Sequence, residues 1–84
     1  MALLNEEDLK SIISNALSLS SQEIDENSSS ENLTEWDSLG QLSILSSLDE
    51  KTNGESSHID GISEFNSFKE LKDNLISKGL LNEG

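Results

Sequence analysis

A serine hydroxyl is chemically informative only where its setting makes it so, and one stretch of this serine-rich chain provides such a setting. Residues 35–42 read EWDSLGQL, with the only tryptophan of the chain, Trp36, two places before Ser38. Asp37 and Ser38 are both residue types that open helices, because a side-chain oxygen can accept from backbone N–H groups that otherwise lack partners at a helix start. A serine hydroxyl is also a poor nucleophile without a base, and none is evident beside Ser38. Two readings therefore stand together: a capping residue, or a hydroxyl presented to another protein.

Two other groupings could do chemistry. His58 stands among Ser56, Ser57 and Asp60, the residue types of a hydrolase triad. A chain this short leaves little room for an oxyanion hole and a substrate groove as well. Without a cysteine or a second histidine, a metal site at His58 lacks convergent ligands, so it is read as a surface residue and no catalytic or metal-binding residue is assigned. Residues 49–60, DEKTNGESSHID, have the length of a calcium loop between two helices, with Asp49, Asn53, Gly54 and Asp60 at its first, fifth, sixth and last positions. Lys51, however, falls at the third position, where an oxygen ligand is required. Ser56 replaces the usual apolar residue at the eighth, and Asp60 is shorter than the bidentate glutamate expected last. A cation inside the loop repels calcium, and an Asn53-Gly54 turn is the simpler expectation.

The elements that must position these residues are helical. Asn5 is a candidate N-cap, followed by Glu6, Glu7 and Asp8 where the helix dipole favours acids. Leu9, Ile12, Ile13, Ala16 and Leu17 then recur at helical spacing, predicting a first helix over about residues 6–19. Residues 20–34, SSQEIDENSSSENLT, form a long polar connection with Ile24 and Leu33 as its anchors to the core. A second helix is expected to open at Asp37 or Ser38 and end between residues 49 and 52, with Leu39, Leu42, Ile44, Leu45 and Leu48 on a broad apolar face. Ile62 and Phe65 suggest a short third helix. Ser67 to Glu70 fit a capping box for a fourth, carried by Phe68, Leu71, Leu75 and Ile76 and closed by Gly79 at C′. The fold class expected is all-α: a small antiparallel four-helix bundle, three main helices plus the short third, with a long loop between helices 1 and 2.

Composition narrows the partners. Seventeen acidic residues against five lysines and no arginine give a net charge of −12, which repels phosphate backbones and anionic lipid surfaces. Neither nucleic acid binding nor membrane insertion is expected. The same field steers encounter with basic protein patches. The absence of cysteine rules out a disulfide framework, a thiolate zinc site and a cysteine nucleophile. The start, MALLNEEDLK, has neither a basic n-region nor a long apolar run, so the expected location is cytoplasmic. Residues 1–84 are read as one domain, a monomer and not an enzyme, with too little chain for a deep catalytic cleft.

The whole arrangement resembles an acyl carrier protein. The likeness spans most of the chain, from the first helix to Gly79, and rests on WDSLGQLSILSSL at residues 36–48 together with the Asn66-Ser67-Phe68 helix start about thirty residues after Asp37-Ser38-Leu39. In that family the motif serine accepts a 4′-phosphopantetheine arm from coenzyme A, transferred by a separate magnesium-dependent phosphopantetheinyl transferase, and Ser38 is the matching residue. The resemblance thus implies a carrier that is a substrate of its partners. Ser38 would be the attachment point, with Asp37 and Leu39 as its immediate setting. A docking surface of Asp37, Leu39, Gln41, Leu42, Asp49 and Glu50 would meet the transferase, an acyl- or aminoacyl-loading ligase and downstream acyl-processing enzymes with basic patches. A thiol at the arm's end would hold an acyl group as a thioester, so a chain without cysteine could still run thiol chemistry.

Leu42, Leu45, Leu48, Phe65 and Leu71 are candidates to line an acyl site, although ordinary core is the simpler reading of them. Fatty acid carriers usually place acids early in the second helix. Here Gly40, Gln41, Ser43, Ser46 and Ser47 are uncharged, and Thr52 stands near a position commonly apolar. These departures favour a specialised acyl pathway, fatty acid, polyketide or other. The alternative within the class is an aminoacyl or peptidyl carrier of a nonribosomal-peptide-like pathway. The alternative outside it is an unmodified acidic helical adaptor or a weak EF-hand-like calcium module.

Overall fold

The computed structural model describes residues 4–82, and for Ser21 the backbone alone; residues 1–3 and 83–84 of the expected single domain lie outside the described residues. Helix α1 (Glu6–Leu17) opens with a reciprocal cap: Asn5 Oδ1 accepts the Asp8 amide at 2.9 Å and Asp8 Oδ2 accepts the Asn5 amide at 3.1 Å. The helix stops two residues short of the expected end. Ser18 turns left-handed at φ 61°, and its amide and that of Leu19 bond back to the carbonyls of Asn15 and Ser14 at 3.3 and 2.8 Å, closing the last turn.

Helix α2 (Ser38–Lys51) is capped by Asp37. Helix α3 (Phe68–Ser77) is capped by Ser67, whose Oγ accepts the Glu70 amide at 3.2 Å. Gly79, in left-handed conformation at φ 75°, closes α3 as a C′ glycine does, with the Leu80 amide returning to the Leu75 carbonyl at 2.9 Å. Three 3-10 turns complete the helical elements: Ser21–Glu23 in the connection before α2, then Glu55–His58 and Ile62–Glu64 between α2 and α3. The last stands where the short third helix was expected. Among the described residues there is no strand, only isolated bridges at Leu4–Leu81 and Ser29–Ser67. The protein is small, compact and all-helical; its radius of gyration of 11.3 Å matches the roughly 12 Å of a compact chain this long.

The core gathers Leu9, Ile12, Ile13 and Leu17 from α1, Ile44 and Leu48 from α2, and Phe68, Leu71 and Leu75 from α3. Ile24 and Trp36 pin the connection before α2 into the same cluster, with Leu33 packed against it. The broad apolar face expected for α2 is not what the packing uses. Its buried residues are Gly40, Ile44 and Leu48, while Leu39 and Leu42 are 75% and 63% exposed. The reason is a close approach of α1 to α2: Gly40, lacking a side chain, lets the start of α2 sit against Leu17 and the Glu35 carbonyl. That sets the helix rotation and turns positions 39 and 42 outward.

Thr52, where an apolar residue was expected, is fully buried with its polarity satisfied. Its hydroxyl donates to the Leu48 carbonyl at 2.6 Å and accepts the Ser56 amide at 3.0 Å, joining the end of α2 to the next 3-10 turn. No helix of the described residues is long and apolar enough to cross a membrane.

Candidate functional site

The site is built on the first turn of α2. Asp37 Oδ1 accepts the Gly40 amide at 2.9 Å, and the Asp37 carbonyl accepts the Gln41 amide at 2.8 Å, so Asp37 is the N-cap and Ser38 the first helical residue. The two readings of Ser38 are thereby separated: the capping duty is taken by its neighbour. Ser38 is exposed, as are Asp37 and Leu39.

Beside Ser38 lies a cavity of about 550 Å³, lined on the α2 side by Asp37, Ser38, Gln41, Leu42 and Leu45 and on the other by Ser63, Glu64 and Asn66, with Trp36 and Ser30 at its inner end. Two carboxylates, Asp37 and Glu64, border it, so its mouth is acidic while Trp36, Leu42 and Leu45 supply an apolar wall. Trp36 is almost wholly buried, and a buried indole N–H requires an acceptor. It finds one in Gln41 Oε1 at 2.6 Å, and Gln41 Nε2 donates onward to the carbonyls of Phe65 at 2.6 Å and Ser63 at 3.2 Å.

A hydroxyl at the start of a helix, uncommitted to the cap, beside an acidic residue and an apolar-walled cavity, can be modified from outside and can shelter what is attached. It lacks the partners to act as a nucleophile for itself. Family models, curated proteins and solved structures give no match to this chain.

The other residues singled out in the sequence fall into distinct places. Leu39 and Leu42 form an exposed apolar pair near Ser38, whereas Asp49 and Glu50 are exposed at the far end of α2. Gln41 does not face outward with them, since the protein itself takes up its carboxamide. Of the candidates for lining an acyl site, Leu42 and Leu45 border the cavity, while Leu48 and Leu71 are ordinary core.

His58 borders a separate hollow with Glu55, Ile59, Lys78 and Leu80, so no serine-histidine-aspartate arrangement forms there. In residues 49–60 the Gly54 amide donates to the Asp49 main-chain carbonyl at 2.8 Å and a 3-10 turn follows, and no cluster of three metal-ligating side chains occurs among the described residues. Sequence reasoning missed Gln41 as a structural link. The available signal was Trp36, whose indole would need an acceptor if buried.

Proposed function

We propose that this chain is an acyl carrier protein whose Ser38 receives a 4′-phosphopantetheine arm from coenzyme A. The observation that carries this reading is the division of labour between Asp37 and Ser38: the cap is complete without the serine, whose exposed hydroxyl stands at the edge of the cavity under Leu42 and Leu45.

The residues present fit the arm. Ser38 Oγ would form the new bond to phosphorus as the phosphoanhydride of coenzyme A breaks, the adenosine bisphosphate half leaves, and the hydroxyl proton passes to a base of the transferase. Asp37 stands beside that hydroxyl and keeps one oxygen on the Gly40 amide, fixing the turn. The N-terminal amides of α2 favour the resulting phosphodiester, and the Asp37 carboxylate opposes it. When bound, the arm supplies a thiol that holds cargo as a thioester. The chain is then a substrate of its partners and catalyses nothing itself.

The same reading carries the finer architecture: an antiparallel four-helix carrier bundle, with the 3-10 turns between α2 and α3 in the place of a short third helix and a long loop between α1 and α2. It also carries a cytoplasmic, monomeric protein. Leu39 and Leu42 supply the apolar centre of a docking surface with Asp37 beside them and Asp49 and Glu50 at its end, suited to basic patches on the transferase, a loading ligase and acyl-processing enzymes.

The test is intact mass after incubation with coenzyme A and a broad-specificity transferase. One arm is added to the wild type and none to Ser38→Ala. An unchanged wild-type mass across several active transferases would overturn the proposal.

A further inference from the structure

The polar groups of the Gln41 side chain all bond within the protein. A carboxamide offers a carbonyl acceptor and two N–H donors, and here the carbonyl takes the Trp36 indole while the amine group serves the carbonyls of Phe65 and Ser63. One side chain therefore ties α2 to the residue before its cap, to Ser63 within the Ile62–Glu64 turn and to Phe65 just after it. A second hollow of about 750 Å³ shares Leu42, Leu45 and Ser63 with the cavity beside Ser38 and extends to Asp49 and Asp60, so the two adjoin as one trough along α2. Of the core side chains only Trp36 and Ile59 reach this trough. At the Trp36 end of the trough, beside Ser38, stands the Gln41 bridge. An apolar guest moving from the trough into the core past Gln41 would have to break it and leave a largely buried indole N–H and the part-buried Phe65 carbonyl without partners.

We propose that Gln41 is a latch that closes the interior at the Trp36 end of the trough, beside Ser38, to whatever Ser38 carries, holding the carried group in the outer trough. The cargo class that follows is short or polar acyl and aminoacyl groups, which gain little from an apolar interior, as against long alkyl chains, which gain most from one. This inference rests on the carrier reading for its cargo, while the latch itself can be tested on the unmodified chain.

The first arm of the experiment uses Trp36 of the full unmodified protein, the only tryptophan, and its quenching by acrylamide. Wild type is quenched weakly at about pH 8 and about pH 5. Gln41→Glu keeps an acceptor for the indole but turns a carboxylate onto the carbonyls of Phe65 and Ser63. Asp37 and Glu64, which border the same cavity, add to the repulsion. Quenching of this variant rises severalfold at the higher pH and falls back toward wild type at the lower, where the introduced carboxyl is protonated and can donate again. Gln41→Met, unable to bond at either pH, is quenched strongly at both. Equal, weak quenching of all three proteins would overturn the latch.

The second arm loads wild type and Gln41→Met from acetyl- and octanoyl-coenzyme A, after intact mass has established attachment. Wild-type Trp36 emission and Tm are the same for both groups, whereas in Gln41→Met the octanoyl form melts higher and shifts the emission. A wild-type protein that responds to octanoyl as the variant does would overturn the cargo assignment. Failure to load at all would refute the carrier reading and with it the cargo, leaving the quenching series to decide the latch alone.

Discussion

Leu17 and Gly40 meet where α1 ends and α2 begins: a Cβ placed on Gly40 would stand 2.6 Å from Leu17 Cδ2 and in hard overlap with the Glu35 carbonyl oxygen. The leucine methyl could shift, but the carbonyl belongs to the backbone that leads into Trp36 and the Asp37 cap. Gly40→Ala gains about 1 kcal/mol in helix propensity and loses about 1–3 kcal/mol to overpacking, for a net destabilisation of about 0–2 kcal/mol. Urea unfolding measures it. A variant more stable than wild type by the full helix-propensity gain would mean that this approach is not close in solution.

Asp37 and Ser38 separate in stability. Asp37→Ala removes the acceptor of the Gly40 amide and costs about 1 kcal/mol, and Asp37→Asn restores most of it. Ser38→Ala stays within about 0.5 kcal/mol of wild type, as surface substitutions do. Equal losses for the two alanine variants would return the cap to Ser38.

Thr52→Val keeps the shape of the buried side chain and strands the Ser56 amide, so the end of α2 loses about 1–3 kcal/mol despite the added apolar surface. Thr52→Ser, which retains the hydroxyl, loses less. Denaturant midpoints for the pair decide whether the hydrogen bonds or the packing hold the turn.

Lys72 joins α3 to α1 and to the connection before α2, pairing with Glu6 and, at 3.3 Å, with Glu26. Its hydrogen bond to Glu6 holds that carboxyl below the usual carboxylate range, and the same bond, then the one to Glu26, raises the Lys72 ammonium above its ordinary value. For the lowered carboxyl, the stabilisation is fully present above the unfolded value and is lost as pH falls through the folded one. For the raised ammonium it is present below the unfolded value and lost as pH rises through the folded one. Lys72→Met therefore melts lower than wild type across the neutral range, and the gap narrows below about pH 4 and above about pH 11. Added salt narrows it further. A gap constant across pH would assign the effect to packing of the lysine stem.

Leu39 and Leu42 are the exposed large apolar side chains among the described residues and stand one turn apart on α2, close after Ser38. Exchanging both for serine leaves Tm nearly unchanged and lowers the transferase's kcat/KM by about tenfold or more, the loss of one apolar anchor at an interface centre. Unimpaired loading would place the docking surface elsewhere.

Much of this molecule is readable before folding because the relevant physics is local. The Asn5, Ser67 and Gly79 helix signals depend on residues within a turn of each other, and the stripes of α1 and α3 repeat at the helical period. The apolar face of α2 was not readable. Leu39, Leu42, Ile44, Leu45 and Leu48 fall around more than half the helix, and which of them go inside depends on how closely α1 approaches. That distance is set by the missing side chain at Gly40, a residue whose sequence meaning had been only that it carries no charge. Thr52 was likewise unreadable, because its fitness for a buried position comes from partners at Leu48 and Ser56 that only the turn supplies.

EWDSLGQL by itself established that a helix starts here, with a cap and a serine in its first turn, since capping chemistry needs nothing beyond neighbouring residues. Only the tertiary structure decided which residue caps, that Ser38 is left exposed beside a cavity, and that Gln41 turns inward to Trp36, Ser63 and Phe65. The bonds of Gln41 to Ser63 and Phe65 reach residues more than twenty positions away in the chain. A hydrogen bond across that separation leaves no period or spacing in a sequence; it exists only once packing has fixed both ends.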